Sequence, residues 1–194
     1  MGKHRRPDHW SRRAAERDYP ARSVFKLEEI DRRLGLLGSG DRVLDLGCSP
    51  GSWLKYASER VGEAGVVVGV DLVPPRIPLP GNARFLRADV LEVSAREIGA
   101  TTFDVVLSDM APSTSGDALV DQERSWELLG GAMRIALAVL VPGGRFAGKL
   151  FFSPRHVEAV ATLEPRFQAV RTIRPRATRA ASREVFVVGL GFRP

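Results

Sequence analysis

Cysteine is almost absent: Cys48, alone among 194 residues, cannot close an internal disulfide, which excludes a disulfide-stapled scaffold. Three histidines, His4, His9 and His156, offer no zinc-ligand spacing, so no metal site is expected. No apolar run approaches the roughly 18 residues of a membrane span. The opening MGKHRRPDHWSRRAAERDYP is basic but lacks the apolar stretch of a secretory signal. A cytoplasmic protein with no membrane partner is the expectation. Lysine is also scarce, with Lys3, Lys26, Lys55 and Lys149 the only four among 29 basic residues. A lysine inside an apolar strand therefore stands out, because a buried lysine can release its proton and an arginine cannot.

What is present reads as one ordinary globular unit, 44% hydrophobic and 27% charged, of a length that suits a single domain with one site. The charge of +6 is unevenly spread. Residues 1–22 hold seven basic and three acidic side chains, and residues 166–194 hold seven and one, so the body between them is net negative. Two basic ends point to a phosphate-rich partner touching both, since neutralising phosphates releases counterions. The plainer alternative is a solubilising surface.

Turn signals fall at the spacing of alternating strands and helices, with no internal repeat. After a basic arm over 1–22, the core over 23–194 opens with a helix from Ser23 to Leu37, Ser23 as its N-cap and Val24, Leu27 and Ile30 or Leu34 at helical spacing. Strands are expected at Arg42 to Gly47, Val66 to Val70, Ala83 to Ala88, Phe103 to Ser108, Gly144 to Phe151, Phe167 to Ile173 and Glu184 to Gly191. Helices fit Ser52 to Val61, Asp121 to Leu140 and Arg155 to Leu163. The unalternating run VVVGV is typical of a buried parallel strand. The last two strands leave no room for a helix between them. The fold class is therefore α/β, a mainly parallel sheet with one antiparallel strand near the C-terminus.

Open sheets of this kind bind ligands at the carboxyl ends of their strands, here Gly47 to Gly51, Asp71, Asp89 and Asp109. The loop DLGCSPGSW is neither a dinucleotide G-x-G-x-x-G nor a P-loop, which disfavours ATP hydrolysis. Its glycines let the backbone approach a ligand, and Asp71, ending the second strand, can accept hydrogen bonds from a ribose diol. A nucleoside-bearing cofactor fits.

These residues resemble those of the FtsJ-type, or RrmJ-type, ribosomal RNA 2′-O-methyltransferases. The resemblance runs in order from DHWSRRAAERDYPARSVFKLEEI through DLGCSPGSW, VDLVP, SDMAPSTSG and VPGGRFAGKLF to SREVFVVGLGFRP. It implies a Rossmann-like fold that uses S-adenosylmethionine, acting as a monomer on a uridine of 23S ribosomal RNA in the large ribosomal subunit. It also implies that Asp45, Gly47, Pro50, Gly51 and Trp53 form the methionine-side loop, that Asp71 binds the ribose and that Asp89 lies beside the adenine, with Asp109 bordering the same cofactor. The sequence departs from the family at Cys48, Ser49 and Ser52, and at Phe152-Ser153-Pro154 after the expected catalytic lysine.

A 2′-hydroxyl is a poor nucleophile, so methyl transfer needs alignment and a group to accept the hydroxyl proton. The resemblance supplies a tetrad, Lys26, Asp109, Lys149 and Glu184. In it Lys149 would be the base, Lys26 a second cation, Asp109 the residue that orients Lys149, and Glu184 a partner for Lys26 or the ribose. Cys48 reads as a packing residue, which argues against base methylation through a cysteine adduct. Trp53, Trp126 and the phenylalanines read as packing residues before base-stacking platforms, and His156 as a solvated or capping group. Methylation of transfer RNA or another RNA, and a noncatalytic RNA-binding relative, stay open as alternatives. A dehydrogenase is disfavoured, because the sequence has neither the dinucleotide glycines nor a Tyr-x-x-x-Lys.

Overall fold

The computed structural model describes residues 8–99, 102–113 and 115–194. Seven strands form one sheet in the order β3-β2-β1-β4-β5-β7-β6. They are β1 (Arg42–Leu46), β2 (Val66–Asp71), β3 (Ala83–Arg87), β4 (Phe103–Ser108), β5 (Leu140–Phe151), β6 (Phe167–Ile173) and β7 (Glu184–Phe192). Strands β3, β2, β1, β4 and β5 pair in parallel, and β7 inserts antiparallel between β5 and β6. The single antiparallel strand is the one expected from the chain order. The strand order reverses at β1, where β2 lies on one side and β4 on the other, and such a switch point opens a crevice at the carboxyl ends.

Helices cover both faces because the central strands are apolar on both: Val43 and Leu44, or Val105 and Val106, are fully buried on opposite sides. One core cluster joins Leu44, Leu46, Val106 and Phe146 to α4 (Ala118–Val139) and α5 (Arg155–Leu163). The other joins Val43, Val105, Leu107 and Phe186 to α2 (Val24–Leu34) and α3 (Ser52–Val61). Gly148 is the close-approach point of the first cluster. A Cβ there would meet Leu129 and the Phe146 ring, so the glycine lets α4 close on β5 beside Lys149.

Four local expectations need correction. Part of the basic arm is a helix, α1 (His9–Glu16), with Asp8 accepting from the Ser11 N–H as its N-cap. Trp10 packs 5.1 Å from the Phe25 ring, and Arg13 lies over both rings. Ser23 makes no side-chain cap, because Val24, Phe25 and Lys26 donate instead to the carbonyls of the preceding Ala21–Ser23 turn. Helix α2 ends at Leu34 with Gly35 in the left-handed region, short of Leu37. Strand β5 starts at Leu140 rather than Gly144, pairing with Phe103 before a register shift over Val141–Gly144.

Candidate active site

Side chains alternate across a strand, so parity decides which residues can meet. Leu107, Ala147 and Phe186 face the α2 and α3 layer. Lys149 and Glu184 lie two residues further along, or back along, the same strands and so leave the sheet on that face, at its carboxyl end, and Asp109 is the first residue past the end of β4. The register brings Lys149 opposite Phe186 and Phe151 opposite Glu184. From above, α2 buries Lys26 with its ammonium 5.9 Å from the centre of the Phe186 ring.

The four polar groups resolve into two ion pairs. Lys149 Nζ donates to the Asp109 carbonyl at 2.6 Å and lies 3.0 Å from Asp109 Oδ1. Lys26 Nζ donates to Glu184 Oε2 at 2.6 Å. The Lys149 and Lys26 side chains are only 4% and 10% exposed, so neither pair is a screened surface bridge. Burial pushes the Glu184 carboxyl up, but Lys26, by charge and hydrogen bond, and Lys149, by charge, outweigh it and hold the group below the usual glutamate range. The pairs are thus electrically coupled through Glu184.

Beside Asp109 opens a cleft of about 450 Å³ lined by Gly47, Asp71, Val73, Asp89, Asp109 and Met110, among others. Gly47, with φ 78°, forms part of its wall; a Cβ there would collide with Met110. Asp71 Oδ2 accepts from the Ser49 N–H at 2.9 Å and Oδ1 from Val73 at 3.0 Å, which fixes the carboxylate while leaving lone pairs free. Asp89 accepts from Leu91 at 2.8 Å. Asp45 is completely buried, and both its oxygens lack a hydrogen-bond partner. Burial, then the charges of Asp109 and Asp71, push its carboxyl up to about 8.

The remaining residues of the expected loop are held by contacts of their own. Trp53 is 3% exposed, donates from Nε1 to the Ser23 carbonyl and stacks on Phe186, so it supports the floor under Lys26 and does not line the cleft. Pro50 accepts from the Arg76 N–H, and Gly51 packs against Pro75 and Ile77. Ser52 exchanges hydrogen bonds with Ala21, its Oγ accepting from the N–H and donating to the carbonyl, which ties α3 to the turn before Lys26. Cys48 is buried, and burial with the Asp45 and Asp71 charges pushes its thiol up, away from thiolate chemistry.

The two basic ends, far apart in sequence, meet beside Lys26. Arg22 donates to the Ala177 carbonyl and pairs with Asp8, and Arg179 lies 3.8 Å from the same aspartate. The Arg176 N–H donates to Glu29 Oε2. Between the ends lies a pocket of about 250 Å³ lined by Arg22, Ser23, Lys26, Arg179, Ser182 and Glu184, with Ala177. Sequence reasoning missed Arg22 and Ser182 as site residues; Arg22 carried a signal, standing four residues before Lys26. Arg5 and Arg6 lie outside the described residues.

The model of the FtsJ-like methyltransferase family matches residues 19–192. The ribosomal RNA large subunit methyltransferase E of Sorangium cellulosum is 48% identical, over 96% of this chain and 89% of its own length. Its counterpart from Desulfatibacillum aliphaticivorans is 45% identical over 97% and 92%. A solved structure from Plasmodium falciparum, provisionally named a ribosomal RNA methyltransferase, superposes with a TM-score of 0.79 at 25% identity, covering 90% of this chain and 98% of that one. Identity at this level over almost the whole length, on a fold the solved structure shares, leaves one assignment: the chain belongs to the FtsJ-like methyltransferase family.

Proposed function

We propose that this protein methylates the 2′-hydroxyl of a ribose in 23S ribosomal RNA of the large subunit, a uridine being the expected nucleotide, with S-adenosylmethionine as donor. The observation that carries the reading is the buried pairing of Lys149 with Asp109 at the edge of an acid-lined cleft. The names of the full-length relatives, ribosomal RNA large subunit methyltransferases, support the substrate.

The residues present fit the cofactor. Asp71, Asp89 and Asp109 give the cleft an acidic lining suited to an ammonium and a sulfonium. Asp71 would hold the ribose diol, Asp89 would border the adenine, and the Gly47 backbone allows close approach. When bound, S-adenosylmethionine supplies a methyl group on a positively charged sulfur. Everything else falls to the chain. Asp109 holds Lys149 Nζ by two oxygens, which fixes where the amine points. Lys149 Nζ is the group that would accept the 2′-hydroxyl proton as the oxygen becomes nucleophilic. Lys26, held by Glu184, keeps a second buried ammonium on the same face of the sheet. The arginines of the two ends bind RNA backbone, which gives affinity without reading bases.

Alkaline-resistance mapping of 2′-O-methyl sites in total RNA from a deletion strain, with and without the gene restored, tests the reading. One 23S ribose losing and regaining protection is the expected result. Loss confined to transfer RNA would reassign the substrate, and no loss anywhere would remove the activity.

A further inference from the structure

Among the described residues, Phe152 is the only phenylalanine, tyrosine or tryptophan that is exposed, at 55%. It is not on a free loop. Its N–H donates to the Arg183 carbonyl at 2.7 Å, directly beyond the Phe151 and Glu184 pair that ends the β5 and β7 ladder. Its ring lies 5.4 Å from the His156 ring at a 41° tilt, and His156 Nε2 meets Thr172 Oγ1 at 2.6 Å. The aromatic is thus braced from α5 and β6 while half its surface stays in water.

Phe152 follows Lys149 by three residues, about 10 Å of extended chain. Its backbone partner, Arg183, belongs to the same connection between β6 and β7 as Arg174, Arg176 and Arg179, which approaches Lys26 and Glu184. Phe152 leaves β5 on the α4 and α5 face, opposite to Lys149, so an RNA strand crossing the carboxyl end of β5 would meet both. An aromatic with arginines on the adjoining connection is the combination that single-stranded RNA grooves use, stacking for the base and positive charge for the backbone.

We propose that Phe152 stacks on an unpaired base of the RNA, belonging to a nucleotide that flanks the methylated one, and so sets which ribose stands at Lys149. The distance along β5 exceeds the reach from a 2′-hydroxyl to its own base, which assigns the contact to a neighbour. The inference rests on the RNA methyltransferase reading above and adds a residue that would otherwise count as packing.

The test uses the full-length protein, saturating S-adenosylmethionine and unmethylated large ribosomal subunits from a deletion strain. Phe152→Ala and Phe152→Leu should each raise KM for the subunits roughly tenfold, within the range measured for losing one stacked base. Cofactor affinity should not change, and Phe152→Trp or Phe152→Tyr should restore KM to within about twofold, because stacking needs a π-face and not merely apolar volume. Wild-type KM in Phe152→Leu or Phe152→Ala overturns the inference, as does a loss that Trp and Tyr both fail to repair. Wild-type protein that methylates normally while Phe152→Ala matches it removes the inference alone. Wild-type protein that methylates no subunit removes the functional reading and the inference together.

Discussion

Lys149 Nζ is gripped twice by one residue, Asp109, through its carbonyl at 2.6 Å and its carboxylate at 3.0 Å. The contact aims the amine at the carboxyl end of the sheet, where Lys149 pairs in register with Phe186, whose ring stacks on Trp53. Lys149→Ala should abolish turnover while cofactor affinity stays near wild type, since the loss falls on the transition state. Lys149→Arg should be equally inactive, because arginine keeps the charge and holds its proton. Single-turnover rates at saturating cofactor decide the matter; substantial activity in Lys149→Arg would leave Lys149 only an orienting or polarising role.

Asp71 is held in place by the N–H groups of Ser49 and Val73, which ties the loop after β1 to the end of β2. Asp71→Ala should weaken S-adenosylmethionine by roughly 1–3 kcal/mol, the range for leaving polar partners unpaired. Calorimetry at constant salt checks this, and unchanged affinity would take Asp71 out of the cofactor site.

Legibility in the sequence followed the strength of local pattern. Strands β2 and β4 are runs of buried β-branched and apolar residues, and their starts were readable to the residue. Helix α1 was not, because its eight residues carry few apolar side chains besides Trp10 and the buried Ala14, and it is held by a Trp10 contact to Phe25 across a turn. The tetrad was nameable only through family resemblance; what joins it is strand parity on β5 and β7 plus the docking of α2, none of which is local. The packing of Trp53 was hidden for a similar reason. Its neighbours in sequence line a ligand loop, but the first turn of α3 rotates the indole down onto Phe186.

Because Arg22 and Arg179 converge on one pocket beside Lys26, the two basic ends should act as a single RNA surface. Arg179→Ala should weaken RNA binding about equally across sequences. It should also flatten the dependence of log affinity on log salt by about 0.7 for each lost single-strand phosphate contact. Filter binding at several salt concentrations measures the slope. An unaltered slope would place the RNA elsewhere.

Asp45 yields the sharpest pH signature. Its carboxyl is pushed from 3.8 up to about 8 by burial and by Asp109 and Asp71, and neither oxygen has a partner. In the unfolded chain Asp45 ionises near its ordinary value, whereas in the folded protein it keeps its proton to about pH 8. The folded state therefore binds more protons between these limits, and stability must fall as pH rises through that window, levelling off above it. Asp45→Asn removes the titration. Relative to the variant, the wild type without cofactor should lose stability on the order of a few kcal/mol between pH 4 and pH 8, with no further divergence above pH 8. Urea melts at matched ionic strength read this difference, and the variant cancels the contribution of every other carboxylate. The same substitution should weaken S-adenosylmethionine above pH 8, where the wild-type carboxyl is ionised, more than at about pH 7, where both side chains are neutral. Parallel pH curves for the two proteins would mean that Asp45 has a proton-sharing partner when folded, and full cofactor affinity in Asp45→Asn would confine Asp45 to a structural role.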